Sequence, residues 1–466
     1  MIMEDKNSIL RNIPQVEKLL QTDEIRGFIP EIGRIAVADI VRTVLAGVRV
    51  KAEKNEPVDL EGIVPAVVSE CAVKRLRKLR RVVNGTGVII HTNLGRAPLG
   101  KEILERLAHE ISGYCSLEYD PITGKRGGRG SFAEDLLCML AGSEDALIVN
   151  NNASSVFLIL NEFARGREVV VSRGELVQIG GGFRLPDIMR QSGALLVEVG
   201  TTNITTIDDY REAITENTAL LFSCHRSNFT MQGFTESPQL RALSELKSET
   251  IVFVRDLGSG NIVNDQDMFR QFEPTVRSEI EQGPDLVCFS GDKLLGACQA
   301  GIIVGRKDLV GRLRRNPLMR MLRVDKVSYF ILQETLIRHV NSEYDDIVLW
   351  GIMKQTTKEI SARISRFMRA IKNPVKKQTI KRIRTQSAVG GGAMPGFQME
   401  SMGVQIDVVG VGAEEIHSSL ISDSVPVVGT IIDGHYVLDF RTILETDVPY
   451  AAAAVDRVIT RHDRSA

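Results

Sequence analysis

Residues 286–296 read L-V-C-F-S-G-D-K-L-L-G, and the fold turns on that stretch. Leu286–Phe289 is a short continuous apolar run, the pattern of a strand covered on both faces. Ser290 and Gly291 end it in a turn, so Asp292 and Lys293 stand just beyond the strand. One lysine among 58 Lys and Arg residues carries little information; its value is its position. Six further runs of the same kind surround it: Ala146–Val149, Val169–Val171, Leu195–Val199, Ala219–Phe222, Ile251–Val254 and Gly301–Val304. Most connections between them suit helical crossovers, which predicts an α/β fold with a mainly parallel sheet. The short Ser290–Ala300 connection leaves a looped or antiparallel excursion open for the last pair. Ligands on such sheets bind outside the carboxyl ends of the strands, where Lys293 falls.

Away from this core the texture changes. Residues 1–66 read as a small helical unit, with Pro14 suited to a first helical turn. Val37, Ile40, Val41, Val44 and Val48 recur at helical spacing and mark one buried stripe. Pro57 and Asp59 open another helix through Ile63, Val64 and Val67, which runs into a basic linker, residues 67–82, carrying Lys74, Arg75, Arg77, Lys78, Arg80 and Arg81. Residues 83–335 read as the large α/β unit around this sheet, and 336–466 as a smaller α+β domain. The latter holds a basic helix around Arg363–Lys372, Pro374, a basic run (Lys376, Lys377, Lys381, Arg382, Arg384), Gly390–Gly392, and strand-like stretches Val404–Val408 and Tyr436–Phe440.

With 466 residues, 43% of them hydrophobic, the chain can bury a large core and fits about three folding units. A formal net charge of −1 gives no global field to draw in a polyanion, so nucleic-acid contact must come from local patches. The six cysteines form no C-x-x-C pair and no zinc-ligand spacing with histidine. They read as reduced thiols of a cytoplasmic protein, with no metal site. The N-terminus lacks the apolar stretch of a secretory signal, and no apolar run approaches a membrane span.

Four features lie just past strand candidates. Asn150, Asn151, Asn152, Ala153, Ser154 and Ser155 form a polar, small-residue turn opening a helix, which offers free N–H groups and a positive dipole end to a phosphate; an ordinary capped helix start reads the same way. Asp256, in R-D-L-G-S-G, can pair with a pyridinium nitrogen or simply close its own turn. Lys293, desolvated at the sheet edge, is nucleophilic enough for Schiff-base chemistry, and Ser290 beside it can bond a phosphate. His225, Arg226, Ser227 and Asn228 can contact a ring oxygen or orient a substrate, or form a solvated loop. Each signal is weak alone. Their order, each at a strand end, resembles the large domain of aspartate-aminotransferase-like (fold type I) pyridoxal-phosphate enzymes.

Longer stretches narrow the resemblance: N-G-T-G-V-I-I-H-T-N-L-G-R-A-P-L (84–99), G-K-R-G-G-R-G (124–130), S-R-G-E-L-V-Q-I-G-G-G-F-R-L-P-D-I-M (172–189), E-V-G-T-T-N (198–203), H-R-S-N-F (225–229), F-S-G-D-K-L-L-G-A-C-Q-A-G (289–301) and the G-G-G-x-x-P-G segment (390–396). Over nearly the whole chain this is similar to the bacterial selenocysteine synthases, L-seryl-tRNA(Sec) selenium transferases. The resemblance implies a pyridoxal 5'-phosphate enzyme that converts L-seryl-tRNA(Sec) to L-selenocysteinyl-tRNA(Sec) with selenophosphate, through an aminoacrylyl-tRNA bound to the cofactor. It implies that Lys293 carries the cofactor and acts as acid and base, with Asp256 on the ring nitrogen. Ser290, Asn152, Ala153, Ser154 and Asn228 complete the cofactor site, and Asp292 tunes the lysine or helps the hydroxide leave.

By the same similarity, Arg96, Arg129, Arg320 and Arg323 form an anion site for the selenium donor; without it, a solvated helix face is the favoured reading of Arg320 and Arg323. The helical unit is expected to grip tRNA, with Lys74, Arg75, Arg77 and Lys78 and the Arg363–Arg384 patch near phosphates, although basic helix faces are often merely solvated. The family implies dimers assembled into a homodecamer. Two rivals remain at this point. One is a lyase or elimination enzyme of the same fold acting on a free small molecule, to which an N-terminal helical unit would be superfluous. The other is a tRNA-binding protein with an inactive cofactor site, against which Asp256, Ser290 and Lys293 argue.

Overall fold

The computed structural model describes residues 10–54, 56–179, 182–263 and 273–462; Gly180, Gly181 and the side chains of Ile179, Phe183 and Lys377 fall outside what is described. The chain divides into two compact units, residues up to Val82 with Ile421–Pro426, and the remainder.

In the first unit, helix α1 (Arg34–Glu53) packs on α2 (Ile63–Leu76). Val37, Val41, Leu45, Val67 and Cys71 are buried together with Leu19 and Ile25, while Ile40, Val44 and Val48 of the expected stripe pack partly buried around them. Pro14 precedes the cap residue Gln15 of the helix Val16–Leu20, rather than occupying its first turn. The 66/67 boundary falls inside α2, because Val67 and Cys71 continue its buried stripe; Lys74 and Arg75 are its last turn, not a linker. Arg75 lies 3.6 Å from Glu31 with its guanidinium 5.2 Å from the Phe28 ring centre, and Lys78 donates to the Glu31 carbonyl at 3.4 Å.

The second unit is built on a seven-stranded sheet: β1 (Asp145–Val149), β2 (Glu168–Ser172), β3 (Leu195–Val199), β4 (Thr218–Cys224), β5 (Val252–Gly258), β6 (Leu286–Ser290) and β7 (Gly301–Gly305). These are the seven runs read from the sequence. Their spatial order is β1-β7-β6-β5-β4-β2-β3. All neighbours are parallel except at β7, which runs antiparallel to both β6 and β1. Every residue of β4, β6 and β7 is buried, which explains their continuous apolar sequences. Alternate residues go to opposite faces: Val149, Phe222, Val254 and Cys288 pack with helix α3 (Asn152–Ala164), while Ile148, Val287, Phe289 and Ile302 pack under Leu332 and Leu336 of α4 (Lys326–Val340). Each such side chain contributes roughly 1.5–3 kcal/mol by leaving water.

The boundary expected at 335/336 lies within α4, which serves the sheet on both sides of that point. Beyond it, strands β8 (Ile380–Ala388), β9 (Gln398–Ile406), β10 (Thr430–Ile432) and β11 (His435–Asp439) form an antiparallel sheet ordered β8-β9-β11-β10. The second half of the expected basic patch is therefore strand β8, with Arg382 donating to Ser365 at 2.9 Å. Arg363 is no surface residue: it is buried and donates to the carbonyl of Phe440 at 2.9 Å. No helix of the described residues is long and apolar enough to cross a membrane, and no metal-holding cluster occurs among them.

Candidate active site

The carboxyl ends of β1, β4, β5 and β6 converge on a cavity of about 200 Å³, lined among others by Asn152, His225, Asp256, Ser290 and Lys293. Strand register sets its floor. Cys224, Asp256 and Cys288 are partners across β4, β5 and β6, so all three side chains share one face of the sheet. Lys293 then arrives by the turn after β6, pinned by Gly291 N–H to the Ala300 carbonyl (2.9 Å) and Leu294 N–H to the Ser259 carbonyl (2.9 Å). A side chain at Gly291 would stand 2.7 Å from the Cys298 carbonyl oxygen, so the turn requires glycine.

Electrostatics in the cavity are set by burial. Desolvation pushes the Asp256 carboxyl above its usual range, opposed by the hydrogen bond from Asn152 Nδ2 (2.8 Å) and by Lys293. The Cys224 thiol, raised well above its ordinary value by burial, adds a weak 3.9 Å contact to Asp256. Desolvation lowers the Lys293 amine from its usual value, and Asp256 works against it. The site therefore holds an amine biased toward its neutral, nucleophilic form, close to a buried acid.

The phosphate turn is the start of α3. Asn151 caps it, its Oδ1 accepting the Ser154 N–H at 2.9 Å. That leaves the first-turn amides of Asn152 and Ala153 without an intrahelical acceptor, and both residues line the cavity beside Ser290. Ser154 does not fit the role expected of it, because its amide is already taken by the cap. Asn152 has a second task unseen in the sequence, holding Asp256.

Asn228 is also displaced from its expected role. It is exposed and donates to the Gln178 carbonyl at 3.0 Å, so the positions of that loop that line this cavity are His225 and Ser227. Asp292 is buried and accepts two 3.1 Å hydrogen bonds from Arg96 Nη1. Arg96 itself sits at φ 64, after Gly95 at φ 91, which aims its guanidinium back at the Lys293 turn.

The four arginines expected in one anion site do not meet within this chain. Arg96 lines the Lys293 cavity. Arg129, Arg320 and Arg323 line a separate one of about 390 Å³, where Arg129 is bound to Glu118 and to the Val324 carbonyl (2.7 Å). Glu134, on the wall of that second cavity, is pushed up to about 7 by burial, against the pull of Arg314.

Two features escaped the sequence reading. Gly392, at φ 79, comes so near Lys293 that an added side chain would lie 3.2 Å from Nζ; the triple glycine was visible, its target was not. Glu273 is fully buried, with one oxygen accepting the Met394 N–H at 2.9 Å and the other 3.2 Å from His225 Nε2. No local signal marks it.

A family model for L-seryl-tRNA selenium transferase matches residues 82–444, and one for the selenocysteine synthase N-terminal region matches residues 10–49. An L-seryl-tRNA(Sec) selenium transferase of Carboxydothermus hydrogenoformans is 40% identical over 454 residues, 96% of this chain and 97% of that protein. One from Campylobacter concisus is 42% identical over 441 residues, 94% of this chain and 96% of that protein. A solved D-glucosaminate-6-phosphate ammonia-lyase is similar in fold, with a TM-score of 0.57 at 18% identity over 82% of this chain and 97% of that one. Full-length identity of this order, with family models over both the N-terminal helices and the sheet, places the chain in the L-seryl-tRNA(Sec) selenium transferase family.

Proposed function

We propose that this chain converts L-seryl-tRNA(Sec) to L-selenocysteinyl-tRNA(Sec), using pyridoxal 5'-phosphate at Lys293 and selenophosphate as selenium donor. The observation that carries the reading is that buried Lys293 and Asp256 line one cavity at the sheet edge, in a chain about 40% identical to such transferases along its whole length. The cavity residues fit the cofactor. An amine with its charge suppressed suits an aldehyde, a buried acid suits a ring nitrogen, and two helix-start amides with Ser290 suit a phosphate. When bound, pyridoxal phosphate supplies an electron sink for negative charge at the α-carbon of an attached amino acid.

The chain's own residues do the rest. Asp256, fixed by Asn152, holds the proton on the ring nitrogen. With the cofactor bound, Lys293 Nζ would be the base that takes the proton from the serine α-carbon. Asp292, locked by Arg96, is the negative group beside Lys293 that steadies the amine after it gains that proton.

Arg320 and Arg323, with Arg129, make the cationic wall that would seat selenophosphate. Since that wall and Lys293 line different cavities of one chain, association of at least two copies belongs to this reading, and the family resemblance extends it to a decamer. Residues Lys74 and Arg77 are the stronger candidates for tRNA phosphates, because Arg75 and Lys78 are engaged with Glu31. A cytoplasmic setting, where charged tRNA is found, goes with the reading. To test it, the protein is incubated with selenophosphate and either seryl-tRNA(Sec), seryl-tRNA(Ser) or free serine. Selenocysteine formed only on tRNA(Sec) is expected; product from free serine alone contradicts the reading.

A further inference from the structure

Lys293 lines two adjoining cavities. One is the ring cavity described above. The other, of about 730 Å³, opens from it past Arg96, Ser227 and Lys293, and is walled by Thr92 and Asn93 on one side and by the Gly390–Gly396 turn with Phe397 and Gln398 on the other. We infer that this second cavity is the subsite for the terminal nucleoside of the charged tRNA, the adenosine whose ribose carries the serine ester. The inference rests on the proposed substrate and deepens it.

The argument begins with covalent reach. The serine α-carbon must stand at Lys293 Nζ to lose its proton. Only the ester carbon and oxygen separate that carbon from the ribose, a distance of about 4 Å. The ribose must therefore occupy a space that Lys293 itself lines. The ring cavity is the smaller and would be taken up by the cofactor, which leaves the larger one for the sugar and base. Its chemistry suits them. Asn93 and Gln398 offer amides, Phe397 an aromatic wall, and the glycine turn its backbone. Among the described residues lining it there is no carboxylate to repel a phosphate-bearing strand.

The wall is built to hold its shape. Gly390, Gly391 and Gly392 all have positive φ, and side chains at the first two would collide with Val88 and Ile90 at 2.3 Å. Met394 also sits at positive φ (49), and its N–H is taken by Glu273. The other Glu273 oxygen faces His225 Nε2 at 3.2 Å, and among the described residues neither atom has another hydrogen-bond partner. With the proton on Nε2, a single hydrogen bond satisfies both. Glu273 is thus a positioning residue that ties the nucleoside wall to the strand-end loop of the ring cavity.

The test uses the cofactor-loaded enzyme and two serine amides, plain serinamide and 3'-deoxy-3'-(L-serylamino)adenosine, with binding read from the cofactor absorbance and from competition with seryl-tRNA. The adenosine amide should bind at least roughly tenfold more tightly. Asn93→Ala, a change on an exposed turn that leaves the fold intact, and Glu273→Ala should each shrink that ratio, and Glu273→Gln, which keeps an oxygen for Met394, should restore most of it. Equal binding of the two amides by an enzyme that does act on seryl-tRNA overturns the subsite while leaving the proposed function standing. An enzyme inactive on seryl-tRNA overturns the function itself. A ratio unchanged in both Asn93→Ala and Glu273→Ala moves the nucleoside to another wall.

Discussion

At the scale of single residues, the account depends on how burial biases two ionisable groups. The Lys293 amine is held below its ordinary value by desolvation. A lysine with a depressed folded-state value favours its neutral form at a pH where an exposed lysine is still charged. Cofactor binding should therefore stay fast well below pH 10, and a pH titration of reconstitution rate checks this. Asp256 has the opposite bias, with its acid form favoured by burial and its anion favoured by Asn152 and Lys293. Replacing it with Asn keeps the shape and removes the charge opposite the ring nitrogen. Asp256→Asn should bind cofactor yet lose roughly 10²–10⁴-fold in kcat, seen in single-turnover assays. Asp292 and Lys293 stood out in the sequence because they follow the end of β6; Ser290 is the last residue of that strand, and Asp256 lies inside β5, which continues past the apolar run that marked it. The sequence misplaced Asn228 and Ser154 because a loop side chain's direction and an amide's prior commitment to a cap depend on partners such as Gln178 and Asn151.

Among the elements, most of the central strands were legible because burial on both faces leaves an unbroken apolar run, while the half-exposed edge strand β3 was read from its leucines and valines. Strand β8 was not legible, because most of its residues between Ile380 and Ser387 are exposed or half-buried, and its Lys and Arg residues read as a surface patch. Glu273 was invisible for a different reason: its meaning comes from Met394 and His225, far away in sequence. Two predictions belong here. Gly291→Ala forces a methyl toward the Cys298 carbonyl, and should cost about 1–3 kcal/mol in urea unfolding and slow cofactor loading. In α4, burial drives His339 down to about 4, with its Nε2 within 2.8 Å of the Leu295 carbonyl. The unfolded chain takes up a proton below pH ~6.5 that the folded one refuses until near 4. Stability should therefore fall as pH drops through that window, by up to about 3 kcal/mol from this group. Urea midpoints at pH 7.5 and 5, in wild type and His339→Gln, measure it, and the variant should show the smaller drop.

For the whole molecule, a formal net charge of −1 means that any polyanion must be met by local charge. What composition and periodicity could not show was where the units divide: α2 carries the helical unit past residue 66, and segment 421–426 joins it from far down the chain. If Lys74 and Arg77 neutralise tRNA phosphates, Lys74→Ala/Arg77→Ala should weaken tRNA binding and flatten the plot of log affinity against log salt by roughly one to two units, with cofactor absorbance unchanged. Fluorescence anisotropy over a salt series reads this directly. The central claim, however, is covalent. The cofactor-loaded protein is reduced with borohydride, digested, and the labelled peptide sequenced by mass spectrometry. A single pyridoxyl group on Lys293 is predicted; a label on any other lysine, or none, contradicts the account.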